Sequence, residues 1–245
     1  MQILTRNEAT DRAAHLHVSA IDVVVDIRGA QDTTIPTYPV TSTLTMTSDE
    51  ERTFIDIVGD VTEVLLNGVP HPFEDDEDRV WVGGLPVGET ITLEVHALAR
   101  YSRSGEGLHR YTDPEDGEVY LYTQFEPNDA HRAWPCIDQP DVKPEWTFHV
   151  IAPAGWVVSS NGIETGVESV DETGALRHDF TATRPLSSYI TAIVAGPWAV
   201  IEGGTWSGGA SDGGHAELAL RLLCRRTLAR YLDAADVFEV TRAGL

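Results

Sequence analysis

From His17 onward the apolar residues of this chain recur at every second position and are interrupted every few residues by Gly, Pro or Asp. That pattern admits short half-buried strands and excludes long amphipathic helices over most of the sequence. Ile91, Leu93, Val95 and Ala97 alternate with Thr92, Glu94, His96 and Leu98. His17 to Ile27 and Tyr38 to Ser48 are rich in Val, Thr and Ile, and Val64 to Leu66 runs into Asn67-Gly68, a two-residue hairpin signal. Further strands are expected at Tyr120–Phe125, Trp146–Ile151, Val157–Ser160, Leu176–Ala182 and Tyr189–Ala195. The fold class that follows is mainly β, an antiparallel sandwich. One exception opens the chain: Thr5 to Leu16 reads as a short helix, with Thr5 and Glu8 spaced as a capping box.

Domain organisation changes near residue 202. Residues 1–202 read as one β-rich domain, and 203–245 as a linker and the incomplete start of another. Gly203 to Gly214 is too rich in Gly for a regular element and lacks the Gly-Lys-Ser/Thr ending of a phosphate loop, so it is expected to be a hairpin or connection. Ala216–Cys224 reads as a strand, Arg226–Leu232 as a short helix, and Asp236 as the cap of a second helix. The stripe Val237, Val240, Leu245 reaches the last residue without a terminating signal, a pattern expected of a truncated domain.

Charge narrows the partners. Lys plus Arg number 17 against 39 Asp plus Glu, a net charge of -22. Such a surface repels polyanions, which excludes nucleic acid, and is permissive of cationic ligands. No apolar run approaches a membrane span and residues 1–30 carry no export signal; Asn7, Asn67, Asn128 and Asn161 lack the Ser or Thr of a glycosylation acceptor. With only Cys136 and Cys224, a cytoplasmic setting with free thiols is expected. The acidic run Glu74–Asp78 is expected to be a solvated loop.

Metal and nucleophile chemistry find little footing. None of the nine histidines is followed by Glu, which excludes the H-E-x-x-H zinc helix, and His15 with His17 lacks a nearby third ligand. Cys136, His131 and Asp138 make a crowded triad stiffened by Pro135 and Pro140, and Cys136 between apolar neighbours reads as a packing residue. The stronger candidates are Gln124 and Glu126. In an extended strand Tyr120, Tyr122, Gln124 and Glu126 project from one face and Leu121, Thr123 and Phe125 from the other. A carboxylate beside a neutral amide suits a primary ammonium. The competing reading gives Glu126 a structural role, pairing with Arg132 or capping the turn at Pro127.

QFEPNDAHRAWPCIDQPDVKPEWTF, from Gln124 to Phe148, resembles the signature of the aminopeptidase N family of zinc metallopeptidases, particularly its bacterial members. GEGLHRYTDPEDGEVYLY, SSNG and RPLSSYITAIVAGPW resemble it more loosely. Gln139 departs from the usual Glu and His131 from the common Arg. The resemblance implies a saddle-like β-rich N-terminal domain preceding an α/β thermolysin-like catalytic domain, in an enzyme that removes single residues from peptide N-termini. It implies that Glu126 binds the substrate α-ammonium and that Gln124 lines the pocket for the first side chain. The zinc ligands, catalytic Glu and G-x-M-E-N loop of such enzymes do not occur in these residues, so the expected chain binds peptide N-termini but holds no cofactor, is inactive alone and needs the missing catalytic domain. One zinc ion is expected in the full-length enzyme. The alternative is a free-standing β-sandwich binding or interaction module without catalysis.

Overall fold

The computed structural model describes residues 4–172, 174–209 and 215–245. It opens with α1 (Arg6–His15), capped by the expected box: Thr5 Oγ1 accepts from the Glu8 amide, and the Glu8 carboxylate accepts from the Thr5 amide and hydroxyl. Those bonds, with one from Arg79, hold the Glu8 carboxyl down at about 2.

The strands are β1 (Leu16–Asp26), β2 (Thr37–Ser48), β3 (Arg52–Asp56), β4 (Gly59–Leu66), β5 (Val69–Pro70), β6 (Glu74–Asp76), β7 (Arg79–Gly83), β8 (Thr90–Arg100), β9 (Gly107–Thr112) and β10 (Val119–Gln124). There follow β11 (Glu145–Ala152), β12 (Val157–Ser160), β13 (Glu164–Ser169), β14 (Leu176–Phe180), β15 (Ile193–Gly196), β16 (Ala199–Gly209) and β17 (His215–Cys224), and last the helix α2 (Ala234–Gly244). An eight-stranded sheet runs β13-β14-β11-β1-β2-β8-β4-β5, and a four-stranded sheet runs β12-β15-β10-β9. A three-stranded sheet, β3-β7-β6, and the two-stranded β16-β17 complete the fold. Pairing is antiparallel throughout these sheets except between β1 and β11, which run parallel with Val23 opposite Phe148.

The period-two pattern works as chemistry demands. Ile21, Val23 and Val25 of β1 and Ile91, Leu93 and Val95 of β8 are buried, and they share one continuous core with Leu121 of β10 and Ile193 of β15. Aromatic rings fill its centre. Trp146 and Phe148 stack at 6.0 Å with planes 2° apart, and Trp134 meets Phe148 at 5.1 Å and Phe125 edge-on at 4.9 Å. Asn67-Gly68 makes the hairpin turn with both residues at positive φ, 51° and 77°.

Three local expectations need correction. The segment at Tyr189 is strand only from Ile193; Ser188–Ile190 is a 3-10 turn, because the Ser188 hydroxyl donates to Asp138 and pulls the chain out of the sheet. Glu74–Asp76 is an edge strand on β7, and Asp78 is buried. The second helix is capped by Asp233, whose carboxylate accepts from the Asp236 amide. The glycine-rich segment belongs to a hairpin, as expected: up to Gly209 it lies in β16, antiparallel to β17, and its residues 210–214 fall outside the described ones.

A buried charge cluster ties the helix to the sheets. Arg12 donates from Nη1 to Asp56 at 2.8 Å and from Nε to Gln139 at 3.1 Å, while the Gln139 amide donates to the carbonyl of Ala9. The Arg12 and Arg79 guanidiniums sandwich the Phe54 ring, 4.3 and 4.5 Å from its centroid. A second anchor holds the chain beyond β17: Asp113 accepts from Arg225 at 2.9 Å and from the Thr227 hydroxyl at 2.7 Å, and Arg230 pairs with Glu115.

Two outcomes follow. Arg12→Ala strands the buried Asp56 carboxylate, and the urea unfolding midpoint at pH 7 is expected to report a loss of about 3–5 kcal/mol. Asp113 is held below the usual carboxylate range, first by the Thr227 hydroxyl, then by the Glu115 amide and Arg225. A lowered folded value means that this docking is fully present above the ordinary 3.8 and is lost as the pH falls through the folded value. Amides of residues 226–231 should lose exchange protection on acidification before the core strands do, and Asp113→Asn should reproduce that loss at neutral pH.

Candidate functional site

The site is built on β10 and the turn after it. Leu121 and Phe125 are buried on one side of the strand, with Phe125 locked edge-on against Trp134. Tyr122 and Gln124 project from the other side of the strand, and Glu126 follows in the turn just beyond its end; all three are exposed. Tyr120 shares that face but is buried, with its ring 4.7 Å from Trp198.

The neighbouring strand shapes the space around Gln124. In register, Tyr120 faces Tyr111, Tyr122 faces His109, and Gln124 faces Gly107. Gly107 has φ +67°, and a Cβ there would stand 3.0 Å from Cβ of Arg132. A glycine is thus required, because Arg132 occupies the space that a side chain opposite Gln124 would take. Next along the face the Tyr122 and His109 rings lie 4.9 Å apart. Burial lowers the His109 imidazole below its ordinary range, and its Nδ1 accepts from the Gly105 amide, so this wall is an uncharged ring at neutral pH. Beyond it opens a cleft of about 420 Å³ lined by His109, Tyr111, Tyr122, Trp198 and Arg225 among others. Gln124 and Glu126 lie outside that cleft's lining.

Glu126 is held by its backbone and left free at its carboxylate. The Glu126–Pro127 peptide is cis, and the Asp129 amide donates to the Phe125 carbonyl across the turn. Arg132 binds Asp129 at 2.6 Å and Glu106 at 3.5 Å. Among the described residues Glu126 forms neither an ion pair nor a hydrogen bond, so the structural reading, in which it pairs with Arg132 or caps the turn, does not describe this arrangement. A solvated carboxylate beside a neutral amide can accept a primary ammonium with three donors.

The other candidates resolve into structure. Cys136 is fully buried, its thiol pushed well up by desolvation, which removes it as a nucleophile. His131 does pair with Asp138, Nδ1 to Oδ2 at 2.6 Å, but inside the core. Both cysteines are free. No three His, Cys, Asp or Glu side chains among the described residues converge to hold a metal ion, so these residues do not fit a zinc site. No helix is long and apolar enough to cross a membrane. The cluster joining Arg12, Asp56, His131, Asp138 and Ser188 was beyond sequence reasoning; the only signal was polar residues in a segment otherwise destined for the core.

Known proteins carry the same pattern. Residues 72–190, which include β10 and the turn after it, match the peptidase M1 N-terminal domain. Aminopeptidase N of Streptomyces lividans is 38% identical over 98% of this chain, which spans 27% of that protein. Aminopeptidase M1-B of Oryza sativa subsp. japonica is 34% identical over 62% of the chain and 19% of its own length. Aminopeptidase N of Haemonchus contortus is 32% identical over 56% of the chain and 14% of its own length. The chain therefore spans little more than a quarter of the longest-matched of these relatives and less of the others. With its mainly β architecture and its signature strand inside the matched span, the chain carries a peptidase M1 N-terminal domain over residues 72–190.

Proposed function

We propose that this chain supplies the amine-recognition half of a zinc-dependent aminopeptidase, with Glu126 binding the α-ammonium of a peptide and Gln124 lining the pocket for its first side chain. The observation that carries this is the exposed Glu126 carboxylate, without an ion pair among the described residues and two residues beyond Gln124, while Arg132 is engaged by Asp129 and Glu106. A fixed carboxylate facing a free ammonium favours a chain end over an internal amide, which is the selectivity an exopeptidase needs. The net charge of -22 draws cationic chain ends toward the domain.

Residues 1–202 act in this reading as the β-rich recognition domain, and 203–245 begin the unit that would carry the zinc. The β16-β17 ribbon, a sheet of its own, accords with a change of unit in this region, although β16 begins at Ala199 and runs across residue 202. Zinc, when bound by that further unit, polarises the scissile carbonyl and activates water. The present residues contribute binding and orientation: Glu126 neutralises and places the ammonium, and Gln124 borders the side chain beside it. A cytoplasmic setting accords with the two free thiols.

Titrating the 245-residue chain with L-leucinamide should shift the amide signals of Gln124 and Glu126 without saturating at millimolar probe, because one exposed ion pair contributes at most about 1 kcal/mol. N-acetyl-leucinamide should leave them unmoved, and Glu126→Gln should abolish the response. Equal responses to the charged and acetylated probes would remove Glu126 from the site. In a longer protein that also holds the zinc, Glu126→Ala should lower kcat/KM for aminoacyl-anilides by about 3 kcal/mol in transition-state terms, falling toward about 1 if the pair stays wet. Unchanged efficiency there would refute the assignment of Glu126 to the substrate ammonium.

A further inference from the structure

We propose that the aromatic cleft beside Gln124 receives the first side chain of a bound peptide and selects a large aromatic ring there, with Tyr122 and His109 setting the preference. The ammonium part of this inference rests on the reading of Glu126 above; the ring contacts stand on the cleft itself.

Strands β10 and β9 build the floor. Their outward face carries Tyr122 opposite His109 and Tyr120 opposite Tyr111. The Tyr122 and His109 rings lie 4.9 Å apart with planes at 44°, and Trp198 meets Tyr120 at 4.7 Å and 60°. Gly196 makes room for that indole: it has φ +154°, and a Cβ there would stand 3.2 Å from Nε1 of Trp198. The far side is Cys224, at the end of β17, with Arg225 and, in the 3-10 turn that follows, Leu228. The enclosed volume, about 420 Å³, falls within the range that holds small ligands. Tyr122 and Leu228 are 38% and 40% exposed, so apolar surface on both sides of the cleft is still open to water and would gain by being covered.

The hydroxyls and the cation of the cleft are already engaged, which fixes the chemistry of its occupant. The Tyr111 hydroxyl accepts from Arg225, and the Tyr120 hydroxyl accepts from the Arg226 amide. Arg225 also binds Asp113 at 2.9 Å, and its guanidinium covers the Tyr111 ring at 4.8 Å, so the place a cationic side chain would take over that ring is filled. His109 Nδ1 accepts from the Gly105 amide and so carries no proton, which leaves the imidazole neutral. What remains for a ligand is ring surface, and a ring pairs best with another ring in offset or tilted contact.

Position decides which side chain arrives. Gln124 and Tyr122 share a face two residues apart on β10, about 7 Å along an extended strand. A chain end whose ammonium meets Glu126 starts its side chain near Gln124. The methyl group of an alanine then falls short of the Tyr122 and His109 rings, whereas a phenyl or indole group spans the step and enters the cleft.

The test is NMR of the 245-residue chain with L-phenylalaninamide, L-alaninamide and L-lysinamide. The phenylalaninamide ring should give intermolecular NOEs to the Tyr122 and His109 rings. The Glu126 amide should move about three to ten times as steeply with its concentration as with that of L-alaninamide. L-lysinamide should give no side-chain NOEs to those rings. Tyr122→Ala, at an exposed position, should remove the excess while keeping the alaninamide response. Glu126 shifts of equal slope for the phenylalanine and alanine amides, or ring NOEs of equal strength from L-lysinamide, would overturn the preference. N-acetyl-L-phenylalaninamide separates the two readings. Ring NOEs as strong as those from the free amine would keep the cleft and overturn the Glu126 reading; Gln124 and Glu126 shifts from all three amines without ring NOEs would keep Glu126 and overturn the cleft.

Discussion

The fold depends on one buried contact, the Arg12 guanidinium against Asp56. It fixes α1 to β3, and through Asp56 it reaches the Asp138 amide, then His131 and Ser188. Four segments that share no strand pairing with one another in sequence order are thereby set in a single mutual arrangement. Hydrophobic burial alone tolerates sliding between such pieces, whereas a charge cluster with directional partners does not. Its net contribution to stability need not be large, because desolvating the ions costs nearly what their attraction returns. What the cluster supplies is position, and the position it fixes is that of the turn carrying Glu126.

The signature strand then works by division of labour between its faces. Leu121 and Phe125 bind β10 to the core, and Trp134, from the same signature, closes over Phe125. With that side immobilised, the opposite side needs no contacts of its own to be ordered. Tyr122, Gln124 and Glu126 can stand exposed without losing definition, since the backbone beneath them is held by β9 and β15 and by a cis-proline turn. Gly107, opposite Gln124, completes the arrangement by omission, since Arg132 packs where its side chain would stand.

Much of this was legible in the residues, and the failures have a common cause. Period-two alternation located β1, β2, β8, β10, β11 and β12 because one buried face imposes it locally. The same rule put Tyr122 and Gln124 on one face of β10, while Glu126 falls in the turn beyond the strand, where the rule no longer applies. It failed where a distant partner overrides the local pattern: Ser188 reaches Asp138 fifty residues away and bends what would otherwise extend β15, and Asp78 is buried among charges from three other elements. The parallel pairing of β1 with β11 was equally invisible, since buried parallel and antiparallel strands carry the same apolar run. Arg12 and Asp56 are 44 residues apart, and Arg12 and Gln139 are 127 apart. No spacing rule spans such separations; only the fold brings those groups together.

That Glu126 remains unpaired is informative given its surroundings. Arg132, on the next turn, has Asp129 within 2.6 Å and Glu106 across the strand, so the nearest cation is taken by two other carboxylates. In a chain with 39 acidic and 17 basic residues such competition is general: cations are the scarce partner, and each is claimed where geometry is best. An exposed carboxylate left over from that competition costs the protein nothing in water, yet it stands ready for a cation the chain does not itself provide. The acidic composition and the open Glu126 are then aspects of one design. Excess negative charge makes cations scarce near Glu126, and the His131–Asp138 contact fixes the chain five residues beyond it.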